Sequence, residues 1–299
     1  MVDNHKENLV ISSVGQFLEL IADRDIDFWY RGVGDLNFKP SSQVEWRGLD
    51  KTKEDTVAYR FLRDYGKYSE TESHNPWKVY ALMQHHGLPT RLLDWSRSPL
   101  VALFFAVTQE PLSEKGQRAI WVLDPHALNK LVTGLNLIYC PSQMGNRRVF
   151  NAHEAGNPDY IAEGGLLWSN FAKSDDETTD IESYSLDEYL PYPLFLLSPS
   201  NSLKSFTWEY PLAIEASSLD GRMDLQHSAF TIHGNNNEPL DTFLKRHNRS
   251  DILKCIHIEK GAEHAILAQL SKCGINRESI FRDLDSLCKR IVSDVLSQK

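Results

Sequence analysis

The chain has 299 residues, 41% of them apolar and 24% charged, and 32 Lys and Arg against 41 Asp and Glu leave it at net -9. That balance suits one large or two ordinary globular domains with a sizeable core. Bulk electrostatics would repel a nucleic acid, so such a partner requires a local basic surface.

In chain order, the start Met1-Val2-Asp3-Asn4-His5-Lys6-Glu7 lacks a basic region followed by an apolar stretch. Ser12-Ser13 precede an amphipathic helix carrying Val14, Phe17, Leu18 and Ile21. Phe28-Trp29-Tyr30-Arg31 reads as a short strand with Arg31 at its end, and residues 53 to 66 as a helix with Val57, Phe61 and Tyr65 on one face. Asn75 and Pro76 open another helix, whose apolar stripe of Val79, Tyr80, Leu82 and Met83 runs into His85 and His86. Gly87 stops it, and Pro89 biases Leu88 to an extended conformation. Ser98-Pro99 then starts a helix over Leu100 to Val107, apolar on all sides and far short of the ~20 residues a membrane span needs.

Between these two helices, the twelve residues Gln84 to Trp95 pack seven side chains that hydrogen bond or ionise around one turn. A polar loop held between two buried helices is rigid, and a rigid loop can carry a precise site. The local alternative is structural: Arg91 and Asp94, three apart, pair to hold the turn while Thr90 caps a short helix.

Further on, strands are expected at residues 119–123, 194–198, 229–233 and 252–258, and helices at 261–272 and 284–296. Residues 132–193 are the least regular part. There, within 173–190, seven carboxylates stand against Lys173, net -6, and we expect an acidic insertion within one domain. Residues 245–254 hold Lys245, Arg246, Arg249 and Lys254 against Asp251, a modest basic patch of net +3. Helices early and late, with most strands in the second half, indicate an α+β fold: a single domain with a helical N-terminal half and mostly antiparallel strands in the second half.

Cys140, Cys255, Cys273 and Cys288 contain no Cys-x-x-Cys pair, which argues against a disulfide framework or structural zinc and for a reducing, cytoplasmic compartment. Adjacent His85 and His86 diverge by ~100° on a helix, so they do not converge with Asp94 on a metal, and none is expected. Cys255 and His257 share one strand face, an alternation expected of core packing, and the seven tryptophans are scattered as core filling. Phosphate-loop and dinucleotide glycine fingerprints are absent, which disfavours kinase, ATPase and Rossmann readings. What remains is a polar set made of Arg31, Gln84, His85, His86, Thr90, Arg91, Asp94, Arg222 and Gln226. Guanidinium forks suit a pyrophosphate, and amides and imidazoles suit ribose hydroxyls or a carboxamide.

The run Gln84-His85-His86-Gly87-Leu88-Pro89-Thr90-Arg91-Leu92-Leu93-Asp94-Trp95, followed by Pro99-Leu100-Val101-Ala102-Leu103-Phe104-Phe105-Ala106, resembles the FRG-domain family. Ser96 stands where threonine is usual there, and Tyr30-Arg31-Gly32 matches the Phe-Arg-Gly triplet that names the family. Arg222 to Thr231 looks like its Arg-x-x-x-Gln-x-Gly-x-Phe-Thr segment, with Ser228 for the glycine. Ile280 to Cys288 looks like its closing segment, with Arg282 and Ser286 as departures, so the resemblance spans roughly residues 14 to 297.

The resemblance implies a distant relation to ADP-ribosyltransferases, which hold NAD+ in a split α+β sandwich and cleave its nicotinamide–ribose bond. It implies NAD+ as co-substrate, a DNA, RNA or protein acceptor, and a bacterial toxin or phage-defence setting. Under it, Arg31 holds the pyrophosphate and Arg91 shares it, with Gln84, His85, Thr90 and Arg222 around the cofactor. Asp94 is the carboxylate, His86 serves the ribose or the acceptor proton, and Gln226 orients nicotinamide or ribose. The Gln-x-Glu or Glu-x-Glu pair of such transferases is absent from the late strands, where Gln226-His227 stands instead. A non-catalytic nucleotide or nucleic-acid recognition module is therefore the alternative.

Overall fold

A computed structural model describes residues 9–23, 27–68, 73, 75–134, 136, 138–139, 141, 186–197, 209–215, 225–236, 238–282 and 284–297. Helices flank both faces of a single open sheet of seven strands, in the order β1-β7-β4-β2-β3-β6-β5. The strands are β1 (Val10–Ile11), β2 (Trp29–Val33), β3 (Leu92–Ser96), β4 (Ala119–Leu123), β5 (Leu212–Glu215), β6 (Ser228–Ile232) and β7 (Leu253–Ile258). All neighbours pair antiparallel except β1 with β7. The helices are α1 (Val14–Ile21), α2 (Gln43–Trp46), α3 (Lys51–Asp64), α4 (Pro76–His85), α5 (Pro99–Thr108) and α6 (Pro125–Thr133). They continue with α7 (Tyr192–Phe195), α8 (Leu240–Arg246), α9 (Glu263–Lys272), α10 (Arg277–Phe281) and α11 (Leu284–Ser297).

Strand alternation sorts the core into two layers. On β4, Ala119, Trp121 and Leu123 face a layer that includes Trp77, Tyr80 and Met83 of α4, whereas Ile120 and Val122 join Phe17 of α1, Leu103 of α5 and Ile266 of α9. On β2, Trp29 and Val33 enter the first layer and Tyr30 the second. Arg31 lies between Trp29 and Val33 in that alternation, a charged side chain on a face that is otherwise core. Gly32 lies under α5, where an added Cβ would strike the Ala102 carbonyl and approach the Ala106 nitrogen to 2.6 Å. Only glycine lets α5 come that close to the strand.

The α+β character and the mostly antiparallel sheet agree with the sequence reading, although the first half supplies four of the seven strands. Several elements differ from expectation, among them β5 at Leu212–Glu215, which was not foreseen. Leu92–Ser96 is a strand, and the expected strand from 194 begins instead inside helix α7, whose first turn closes onto the Pro191 carbonyl. The acidic run up to residue 185 lies outside the described residues, as does Arg222. The last part of the expected insertion is core: Leu186, Tyr189 and Leu190 are buried, and the Trp77 indole donates to buried Asp187 at 2.6 Å.

The sheet has one weak seam. Five residue pairs join β2 to β4 and five join β3 to β6, but β2 meets β3 only at Tyr30 and Ser96. The two halves of the sheet part beside that pair, and the candidate site opens there.

Candidate functional site

Helix α4 starts at an Asn75 cap that accepts from the Trp77 and Lys78 amides, and it ends where Gly87 takes φ +75°. The chain then turns into β3, and this turn is held from behind by Arg91. The Arg91 amide donates to the Tyr80 hydroxyl at 2.7 Å. Its guanidinium donates from Nε to Glu54 Oε1 at 2.7 Å, from Nη2 to Glu54 Oε2 at 2.6 Å, and from Nη1 to Asn235 Oδ1 at 2.5 Å. Burial alone would lower the Arg91 pKa, but the hydrogen bonds and charge of Glu54 hold it above its ordinary value.

The expected local pair of Arg91 with Asp94 is thus replaced by a buried pair with Glu54 of α3. The Arg91 guanidinium is engaged by Glu54 and Asn235 and is not among the residues that line the cleft. Thr90 is also fully buried and acts through a neighbour. Its hydroxyl donates to Gln84 Oε1 at 2.5 Å, which orients the Gln84 amide so that Nε2 donates to Asp94 Oδ2 at 2.7 Å. Asp94 is exposed on β3, with one carboxylate oxygen aimed by this relay.

Arg31 sits across the seam. Its Nη1 donates to the Asp94 carbonyl oxygen at 2.8 Å, its Nε is buried without a partner, and it makes no ion pair among the described residues. Burial lowers its pKa, and the charge of Asp94 partly offsets this. A half-buried guanidinium that makes no direct ion pair is costly to maintain unless an anion is meant to meet it. Behind it lies His233, whose pKa burial and then the Arg31 charge push down to about 3, so the imidazole is neutral. His233 Nε2 lies 3.3 Å from the Thr231 hydroxyl, which also receives the Trp95 indole N–H at 3.0 Å.

These groups open onto a cleft of about 520 Å³, within the ~300–1,000 Å³ usual for small-molecule sites. Arg31, Gln84, His85, Asp94 and Gln226 all line it. Gln226 is fixed through its backbone, whose carbonyl accepts from the Ser96 hydroxyl at 2.7 Å. His86 points elsewhere: it is exposed and outside the lining, as the divergence of adjacent helical residues requires. Among the described residues, no group of three or more His, Cys, Asp or Glu is arranged to hold a metal.

Three lining residues carry no signal in sequence spacing: Phe105 of α5, and Arg277 and Phe281 of α10. Phe281 lies in the closing segment that looked family-like, the one clue that this end of the chain returns to the site.

The geometry has a counterpart in the comparisons. The FRG domain profile matches residues 26–115, the stretch that holds β2, α4, β3 and α5. Over those residues the chain is similar to the FRG domain. That match includes Arg31, Gln84, His85 and Asp94, while Gln226, Arg277 and Phe281 reach the same cleft from beyond the matched residues. No curated protein and no solved structure matches the chain.

Proposed function

We propose that the cleft binds NAD+ and that the chain transfers ADP-ribose from it to a macromolecular acceptor, nucleic acid or protein. The observation that carries this reading is Arg31: a guanidinium that makes no direct ion pair among the described residues, placed beside Asp94 where the two halves of the sheet part. Under this reading Arg31 forks onto the pyrophosphate. Gln226 and His85 present polar atoms for ribose or the carboxamide.

As the ribose C1′–nitrogen bond breaks, its electron pair leaves with nicotinamide and positive charge develops on the ribose. The Asp94 carboxylate faces that charge, and Gln84, itself oriented by Thr90, keeps it aimed. The acceptor nucleophile then forms the new bond at C1′, and its proton passes to Asp94 or to solvent. His86, exposed at the end of α4, stands outside the cleft lining, so no step is given to it.

A second reading has its own support. Asp94 is the one carboxylate among the described lining residues, so the acidic pair used by many such transferases lacks a second member. A module that senses a nucleotide or a nucleic-acid end needs the arginine and not the carboxylate.

Incubation with NAD+ labelled on the adenylate, with and without DNA, RNA or lysate, separates the two. Nicotinamide release with label on one polymer is expected. Saturable, Arg31-dependent NAD+ binding without release would overturn the transferase and leave the sensing module.

A further inference from the structure

The cleft is cationic in an acidic chain. Its fixed charges among the described residues are Arg31, Arg277 and Asp94, two positive against one negative, whereas the whole chain is net -9. Arg277 is exposed and makes no ion pair among the described residues. Its neighbour Glu278 pairs with Arg290 of α11, so α10 commits its acid to α11 and keeps its cation for the cleft.

Arg277 is also restrained. Its guanidinium carbon lies 5.0 Å from the centre of the Phe281 ring, and Phe281 packs edge-on against Phe105 at 6.0 Å. A capping box between Asn276 and Ser279 fixes the turn that carries it. Cation–π contact orients a guanidinium without neutralising it, so its donors stay available to an anion.

We propose that Arg277 is a second phosphate-binding residue, which makes the cleft selective for a diphosphate over a monophosphate. This rests on the nucleotide reading of the same cleft. The argument is charge balance: the two guanidiniums come from elements 246 residues apart in sequence, and a diphosphate brings two adjacent anionic groups to meet them. A monophosphate engages one fork and leaves the other idle.

The test is equilibrium binding by calorimetry, with ADP, AMP and adenosine as probes and no turnover required. Wild-type protein is expected to bind ADP at least tenfold more tightly than AMP. Arg277→Gln is expected to remove that preference and to leave AMP within about threefold. Arg277→Lys, which keeps charge but loses the fork, is expected to restore only part of it. An unchanged ADP preference in Arg277→Gln overturns the inference, as does a wild type with no preference. Arg31→Gln separates the two levels: if it weakens all phosphate binding while Arg277→Gln does nothing, only this inference fails. If Arg31→Gln also leaves ADP binding intact, the nucleotide reading fails with it.

Discussion

The buried pair between Arg91 and Glu54 offers a sharp test of what the arginine in the polar loop does. Side-chain exposure is 9% for Arg91 and 2% for Glu54, and the guanidinium spends its donors on Glu54 and Asn235. Glu54→Gln leaves a buried cation without its counter-charge, which typically costs ~3–5 kcal/mol. At ~2–4 °C per kcal/mol for a chain near this size, melting should fall by roughly 6–20 °C. Arg91→Met leaves the converse, a buried carboxylate facing Tyr80, and should cost a similar amount.

The double variant Glu54→Met with Arg91→Met removes both charges and should recover most of the loss, because desolvation of two ions is no longer required. Melting followed by circular dichroism, with denaturant titration of the four proteins, closes the cycle. Additive losses, or an Arg91→Met protein that melts normally but loses ADP binding, would refute the structural role and return Arg91 to the ligand set.

Asp94→Asn should lower turnover by ~10²–10³ with ADP-ribose affinity changed only a few-fold, since the charge is used as the bond breaks; parallel loss of affinity would deny it that role. His233, held neutral with a pKa of about 3, is depressed relative to the unfolded chain. The unfolded chain therefore takes up the proton first, and stability falls as pH drops from about 6.5 towards 3; His233→Gln should flatten that slope in acid-melting curves. Glu45 has the opposite sign. Burial, then the nearby charges of Glu238 and Asp241, raise it to about 7, so stability is lost as pH rises from about 4.5 through 7. With discount for its partial exposure, Glu45→Gln should stabilise by ~1–2 kcal/mol at pH 8 and by little at pH 4.5, read as melting temperature against pH. Gly32→Ala places a Cβ against the Ala102 carbonyl and should cost at least ~1–3 kcal/mol in denaturant unfolding, as α5 must shift from β2.

Much of the local structure was legible from neighbouring residues. The Asn75 cap with Pro76, the Gly87 stop and the Ser98-Pro99 start mark α4 and α5 because capping is decided within one turn of chain. β4 and β7 could be read from short runs rich in β-branched residues, and Arg31 was visible as a charge beside an apolar run, although β2 continues to Val33 and places it mid-strand rather than at the end. β3 was not legible, since Leu92, Leu93 and Trp95 are all buried and leave no clean alternation to read.

The polar residues, the turn that gathers Gln84, His85 and Asp94, and the family-like pattern around them can be read along the chain. Their partners come from the fold. Arg91 has Asp94 three residues away yet pairs with Glu54, 37 residues away, because the turn before β3 presents its side chain to α3. His85 faces the cleft and His86 does not, a choice made by which side of α4 is buried. Arg277 joins Arg31 only because α10 packs through Phe281 onto α5. Caps and turns answer to the next few residues, whereas the counter-ion of a charge and the walls of a cleft are set by whatever the folded chain brings within hydrogen-bonding distance.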